Sequence, residues 1–220
     1  SFKDLVYGKI NTKCSELDDF IIARSDGSPT YNLTVVVDDN DMNISHVIRG
    51  EDHISNTPKQ MLIYKALEWT IPKFGHLPMI LGSDGKRLSK RHGAKGTSEY
   101  KNLGYLPDTL INYLALLGWN PGNDDEIFDF NYLKENFSLD KVNKKSAVFD
   151  NTKLEWVSSQ NIFKISAAKL VDIASEFDPT WCGEGHSLEY LVKVIELIKD
   201  RIKTLSDIKE NAFYFFNHPT

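Results

Sequence analysis

Cysteine is scarce in this 220-residue sequence: Cys14 and Cys182 stand far apart, at a spacing that suits neither a metal site nor a redox pair. Reduced thiols follow, and with them a cytoplasmic location. No run approaches the roughly 18 apolar residues of a membrane-spanning helix, and no apolar stretch follows Ser1-Phe2-Lys3-Asp4 as it would in a secretion signal. A general excess of positive charge is missing too. The net charge of −5 argues against a basic coat, although a local basic site remains compatible with it. There is no internal repeat and no low-complexity tract; the recurrence of Ser25-Asp26-Gly27 as Ser83-Asp84-Gly85 is turn chemistry. What is present is ordinary globular composition, 41% hydrophobic and 26% charged, enough for a real core in one or two domains.

Residues 1–18 show no clear period. Asp19 to Arg24 predicts a strand that ends at the turn Ser25-Asp26-Gly27-Ser28-Pro29. Tyr31 to Asp39 is ambiguous, with Val35-Val36-Val37 favouring strand on propensity. His46 to Gly50 is a short apolar strand, and Asn56-Thr57-Pro58 opens a helix with a capping side chain and an early proline. That helix runs on through Trp69, and Phe74 to Leu81 predicts another strand. Strands alternating with helix imply an α/β layer with parallel strands. From about residue 97 the pattern turns helical, with segments Pro107–Leu117, Phe130–Phe137, Lys153–Ser159, Ser166–Glu176, Leu188–Ile202 and Asp207–Phe216.

Three constellations carry possible chemistry. Between Lys86 and Gly96 stand Lys86, Arg87, Lys90, Arg91 and Lys95 with no acidic residue, flanked by Gly85 and Gly93. Cations this crowded repel one another and suit an anionic partner, and a lysine can follow charge on a transferring phosphoryl group. A solvated basic hairpin tip is the plain alternative. Arg49, at the carboxyl end of an expected interior strand, faces the ligand crevice of an open α/β sheet and can clamp a carboxylate through paired hydrogen bonds. An ion pair with Glu51 or Asp52 is the equal alternative. Asp38-Asp39-Asn40-Asp41 lacks the glycine and terminal glutamate of a calcium loop, so it reads as a solvated helix-to-strand turn. Phe213-Tyr214-Phe215-Phe216 reads as core packing in preference to a base-stacking platform.

Arg87-Leu88-Ser89-Lys90-Arg91 resembles the KMSKS signature of class I aminoacyl-tRNA synthetases in its glutamyl form. Around it stand Ser25 to Asn32, Val36 to Asp39, His46 to His53, Asn56 to Gln60, His76-Leu77-Pro78, Gly104 to Pro107, Asn112 to Trp119 and Val148-Phe149-Asp150. In order and spacing this series is similar to the glutamyl-tRNA synthetases of the bacterial and organellar type over about residues 5–220.

The resemblance implies a Rossmann-like α/β catalytic half-domain followed by a mainly helical stem-contact and anticodon-binding region. Residues 1–18 would end an acceptor-binding insertion, 19–85 would be the second half of the catalytic domain, 86–160 the KMSKS loop and stem-contact region, and 161–220 the start of the anticodon-binding domain. It puts Asn32 to Asp41 on a helix, against the valine propensity. It also implies roles: Tyr31 and Arg49 bind glutamate; Asp52, the backbone of Ile80, and Arg87, Leu88, Ser89, Lys90 and Arg91 bind ATP; Lys90 is catalytic on the phosphates. Arg201 would read the third anticodon base, a solvated helix-end cation being the alternative.

The implied activity is ATP-dependent attachment of L-glutamate to tRNA(Glu) through a glutamyl-adenylate, with Mg2+ accompanying ATP, no protein-bound zinc, no membrane and a monomeric enzyme. Arg87 departs from the usual lysine, and no His-x-Gly-His signature occurs. The 220 residues by themselves are therefore expected to be inactive. Charging of glutamine tRNA as well, or a catalytically incomplete tRNA-binding piece, are the competing readings. The helical segments after residue 160 oppose a glutaminyl enzyme ending in β-barrels and a short glutamyl-queuosine relative.

Overall fold

A computed structural model describes residues 1–89 and 95–217. They form two units: the first holds Ser1–Ile80 with Gly118–Asn120 and Ser138–Ala147, the second the remaining described residues. None of the described helices is long and apolar enough to cross a membrane.

The first unit is built on a four-stranded sheet of order β2-β1-β4-β3: β1 (Phe2–Asp4), β2 (Gly8–Ile10), β3 (His46–Gly50) and β4 (Lys73–Leu77). The parallel β3–β4 ladder matches expectation and sets Arg49 opposite His76. The stretch 1–18, patternless in sequence, contributes β1, which hairpins with β2 and pairs in parallel with β4 through Asp4 and Phe74. Phe74, on β4, is buried.

Two helices, α1 (Tyr31–Asp41) and α2 (Thr57–Ala66), pack together through Val36, Ile63 and Tyr64, with Leu33, Val35, Trp69 and Ile71 around them. The valine run is helical because packing overrides propensity. Burying Val36 is worth about 1.5–2 kcal/mol, more than the roughly 0.5 kcal/mol helix penalty of a β-branched residue.

Four other expectations need correction. Asp19 to Arg24 is not a strand. It makes only an isolated bridge from Ala23 to Pro29, leaving Ile21 and Ile22 exposed without a sheet to pack on. The helix expected to reach Trp69 stops at Ala66, because Glu68 turns left-handed at φ +58°. Asn56 does not cap α2 with its side chain; the chain enters already helical from the 3-10 turn Glu51–Asn56. The strand from Phe74 breaks after Leu77, where Pro78 offers no N–H, and resumes as β5 (Ile80–Leu81).

The second unit is helical: α3 (Thr97–Asn102), α4 (Pro107–Gly118), α5 (Phe130–Asn136), and, after β6 (Ala147–Val148), α6 (Asn151–Lys164), α7 (Ala167–Phe177), α8 (Leu188–Ile198) and α9 (Asp207–Phe216). Side chains cap α6, α7 and α8. Asp150 accepts from Thr152 N–H at 2.8 Å, while Ser166 and Ser187 accept from Lys169 and Tyr190 N–H, each at 3.3 Å. One core gathers Leu170, Ile195, Ile202, Ile208 and Ala212; another holds Tyr113, Leu154 and Val157. Cys182, a free thiol, is buried in the first of these. The aromatic run on α9 does not pack as a block. Phe216 joins the core, whereas Phe213, Tyr214 and Phe215 stay exposed, since one helical face admits only one of four consecutive residues.

Gly104 fastens this unit. Its φ is +81°, its carbonyl accepts from Leu205 N–H at 2.9 Å, and an added Cβ would lie 2.6 Å from Ser206 N. Gly104→Ala is expected to cost about 2 kcal/mol or more and to lower Tm by roughly 5 °C. Gly118→Ala, whose Cβ meets nothing within 4 Å, is the control in the same melting experiment.

Candidate functional site

The candidate site gathers where β3 ends. Arg49 is the last side chain of that strand before Gly50, and the 3-10 turn Glu51–Asn56 then carries the chain into α2. An added Cβ on Gly50 would lie 2.5 Å from Asp52 Oδ1, so glycine is what lets the Asp52 carboxylate fold back over the strand end. Asp52 Oδ2 lies 4.0 Å from His53 Nε2.

The guanidinium of Arg49 is half-buried and held by neutral groups. Its Nη2 donates to Thr57 Oγ1 and Gln60 Oε1, each at 2.8 Å, and to the His53 carbonyl at 3.4 Å. Its Nε donates to His76 Nε2 at 3.3 Å, and the ring of Phe74 lies 5.6 Å away. Burial lowers its pKa, and the Tyr31 hydroxyl, Asp39 and Asp52 work against that shift. Arginine nevertheless stays charged at neutral pH.

Tyr31 opens α1 and is 49% exposed. Its hydroxyl lies 3.2 Å from His53 Nδ1, with the two rings 5.7 Å apart. Asn32, next on α1, accepts from Gln60 Nε2 at 3.1 Å, which ties the helix start to the residue holding Arg49. Tyr31, Arg49 and Asp52 are thus brought together around one strand end.

Glu51, offered by the sequence as an ion-pair partner of Arg49, is engaged elsewhere. One carboxylate oxygen accepts from Met79 N–H at 3.0 Å and the other from the Tyr7 hydroxyl. Burial, followed by that carboxylate, pushes the Tyr7 phenol well above its usual range. Glu51 therefore pins the Pro78–Met79 segment immediately ahead of Ile80, which begins β5.

Behind Arg49 lies a buried pair. His76 and Asp4 are both at most 1% exposed, and His76 Nδ1 lies 2.6 Å from Asp4 Oδ2. Asp4 Oδ1 accepts from Val6 and Tyr7 N–H, each at 2.9 Å, and from His76 N–H at 3.3 Å. Burial alone would raise the Asp4 carboxyl. The bonds from Tyr7, His76 and Val6 outweigh it and hold Asp4 below the ordinary carboxylate range. Burial, joined by the nearby Arg49 charge, keeps His76 below its usual value despite Asp4. Nothing local in the sequence marks Asp4, Tyr7, Thr57 or Gln60 as site residues, and His76 stands out only within His76-Leu77-Pro78. A histidine inside an apolar strand segment was the available sign.

The basic loop begins in the second unit. Leu81 bridges Arg87 across the turn of Gly82 to Lys86, where Gly82 N–H donates to the Lys86 carbonyl at 2.8 Å. Arg87 is exposed, and Leu88 and Ser89 are partly so. Lys90 and Arg91 lie outside the described residues. Arg201 ends the 3-10 turn Lys199–Arg201 and is exposed.

Comparison with known proteins adds family matches. A profile described as the catalytic domain of class I tRNA synthetases (E and Q) matches residues 1–156, and an anticodon binding domain profile matches residues 167–220. The chain is 47% identical over 218 residues to a glutamate–tRNA ligase of Nitrosospira multiformis, covering 98% of the chain and 47% of that relative. It is 48% identical over 214 residues to glutamate–tRNA ligase 1 of Syntrophus aciditrophicus, covering 97% and 45%. A crystal structure of a glutamate tRNA ligase from Elizabethkingia meningosepticum, in complex with its amino acid, superposes with a TM-score of 0.87 at 32% identity. It covers 99% of this chain and 47% of that one. The chain spans about half the length of the curated relatives it matches.

Proposed function

The chain belongs to the class I tRNA synthetases (E and Q), and from that premise we propose that it is part of a glutamate–tRNA ligase whose amino-acid site is organised by Arg49. The observation that carries this reading is a half-buried guanidinium whose bonding partners, Thr57, Gln60, His76 and the His53 carbonyl, are all uncharged. A charge so placed is best matched by an anionic ligand, and a carboxylate can accept from the Nη1 hydrogens that those bonds leave over. Tyr31, beside it at the start of α1, completes the glutamate site.

In the first step the glutamate α-carboxylate attacks the ATP α-phosphorus and pyrophosphate leaves. In the second the terminal ribose hydroxyl of tRNA attacks the activated carbonyl and AMP leaves. Little covalent chemistry falls to the protein, so its work is positioning and charge stabilisation. Asp52 serves the ATP side, the Ile80 backbone meets adenine, and Arg87 to Arg91 bind the phosphates, Lys90 foremost. Magnesium arrives with ATP and offsets phosphate charge. Residues 86–160 contact the tRNA stem, and residues from 161 onward begin anticodon recognition.

The test is aminoacylation by an enzyme of the relatives' full length that carries this sequence, assayed with tRNA present. Glutamate-dependent pyrophosphate exchange and charging of tRNA(Glu) are expected. Preference for glutamine as the amino acid, or no exchange at all, overturns the reading.

Whether glutamine tRNA is also charged turns on Arg201. A bidentate arginine-to-base contact discriminates by about 1–3 kcal/mol. Arg201→Gln is expected to change the ratio of tRNA(Glu) to tRNA(Gln) charging by about fivefold, read from kcat/KM on the two transcripts. An unchanged ratio makes Arg201 a solvated helix-end cation.

A further inference from the structure

We propose that Asp4 and His76 are positioning residues for Arg49: the buried Asp4 carboxylate fixes the proton on His76 Nδ1, and the remaining Nε2 lone pair orients the guanidinium for a substrate carboxylate. The proposal rests on the reading of Arg49 as a glutamate-binding residue and goes one layer deeper.

Tautomer logic carries it. At 2.6 Å, Asp4 Oδ2 and His76 Nδ1 must share a proton, since two lone pairs cannot approach so closely. Asp4 has no choice in how it is arranged, because its other oxygen already accepts three backbone N–H groups, from Val6, Tyr7 and His76. With Nδ1 protonated and the ring neutral, Nε2 can only accept. Two donors reach it: Arg49 Nε at 3.3 Å and Thr57 Oγ1 at 3.1 Å. Thr57 in turn accepts from Arg49 Nη2 at 2.8 Å. Two nitrogens of the guanidinium, Nε and Nη2, are therefore fixed by one ring and its hydroxyl neighbour. Register supports this, since β3 and β4 set Arg49 directly opposite His76, and β1 lies on the far side of β4 with Asp4 paired to Phe74.

The arrangement makes Asp4→Asn informative. The asparagine oxygen stays with the three backbone N–H groups, so its NH2 faces His76 Nδ1. That nitrogen must then accept, the ring proton moves to Nε2, and it meets the Arg49 Nε–H donor against donor. Loss of this kind through the wrong tautomer is a known consequence of replacing a carboxylate behind a histidine. His76→Asn gives the same end by another route: its amide still donates toward Asp4, but no acceptor reaches Arg49. Adding His76→Gln to Asp4→Asn puts a carbonyl oxygen near the former Nε2 position whatever residue 4 presents.

The experiment measures glutamate KM, ATP KM and kcat for these variants in an enzyme of the relatives' full length carrying this sequence, with Arg49→Lys in parallel. Asp4→Asn and His76→Asn are each expected to raise glutamate KM about fivefold with ATP KM within twofold, and the double variant should fall at least halfway back. If Arg49→Lys raises glutamate KM while both single variants leave it within twofold, positioning by Asp4 and His76 is overturned and the Arg49 reading stands. Parallel rises in glutamate and ATP KM, or no recovery in the double variant, overturn the tautomer mechanism in favour of a packing role. If Arg49→Lys itself moves neither KM, the glutamate reading fails and takes this proposal with it.

Discussion

Lys90→Ala is expected to lower kcat for aminoacylation by on the order of 10²-fold, the largest effect of any single substitution in the chain. A loss of that size corresponds to about 2.7 kcal/mol of transition-state stabilisation. A unit charge about 4 Å from another contributes of that order at the effective dielectric of a protein surface, and bulk water would reduce it to about 1 kcal/mol. The effect falls mainly on kcat because negative charge on the leaving pyrophosphate grows as the reaction proceeds, and only interactions that strengthen on the way to the transition state raise kcat. Neighbouring cations do not replace it: Arg87 is exposed at the base of the loop, and a guanidinium cannot track a moving phosphate as a single ammonium on a flexible stem does. Lys90→Arg should accordingly recover only part of the loss. Single-turnover formation of glutamyl-tRNA, with ATP saturating, checks this. A rate within threefold of the parent for Lys90→Ala removes the assignment.

The sequence and the structure agree best where local pattern and long-range packing point the same way. His46 to Gly50 is a strand in both, because its apolar residues lie between two turn-forming stretches and pair with another short strand of the same kind. Helices α4, α5, α7 and α9 fall close to their expected bounds, since each carries its own amphipathic spacing or end signals. Disagreement collects where the deciding contact is remote. Phe2 to Asp4 has too few residues to show a period; it hairpins with Gly8–Ile10, and its place in the sheet is set by the pairing of Asp4 with Phe74, about seventy residues on. The valines of α1 look like strand until Ile63 and Tyr64 are there to pack on.

The candidate site divides in the same way. Arg49 was legible, because a charge at the end of an apolar strand is conspicuous in one dimension. What holds it was not. Asp4 and His76 are 72 residues apart, and neither carries a local mark of its burial. Glu51 stands two residues from Arg49 and invites pairing with it, yet in three dimensions it bonds to Tyr7 and to the Met79 amide. Adjacency in sequence suggested an ion pair, and the turn after Gly50 sent the two side chains to different partners.

Arg49→Lys is expected to raise glutamate KM by about 30-fold while ATP KM moves less than threefold. The charge is kept, so the prediction concerns geometry. The guanidinium bonds His76, Thr57 and Gln60 through Nε and Nη2, and those bonds leave the Nη1 hydrogens over for a ligand. A lysine ammonium has three donors on one atom; satisfying Thr57 and Gln60 leaves at most one, at a different position, so a charge-assisted bond to a carboxylate is lost. Charge-assisted hydrogen bonds contribute about 1.5–3 kcal/mol each, so loss of one corresponds to roughly 10- to 150-fold in binding. The shorter reach of lysine also leaves His76 Nε2 without its Arg49 donor, and Thr57 remains to satisfy it at 3.1 Å, so the fold should survive with Tm little changed. Steady-state kinetics on both substrates, with a melting curve alongside, separate the possibilities. A selective rise in glutamate KM at unchanged Tm is the signature of a binding residue. Equal rises in both constants with a lowered Tm would make Arg49 a structural strut between β3 and α2.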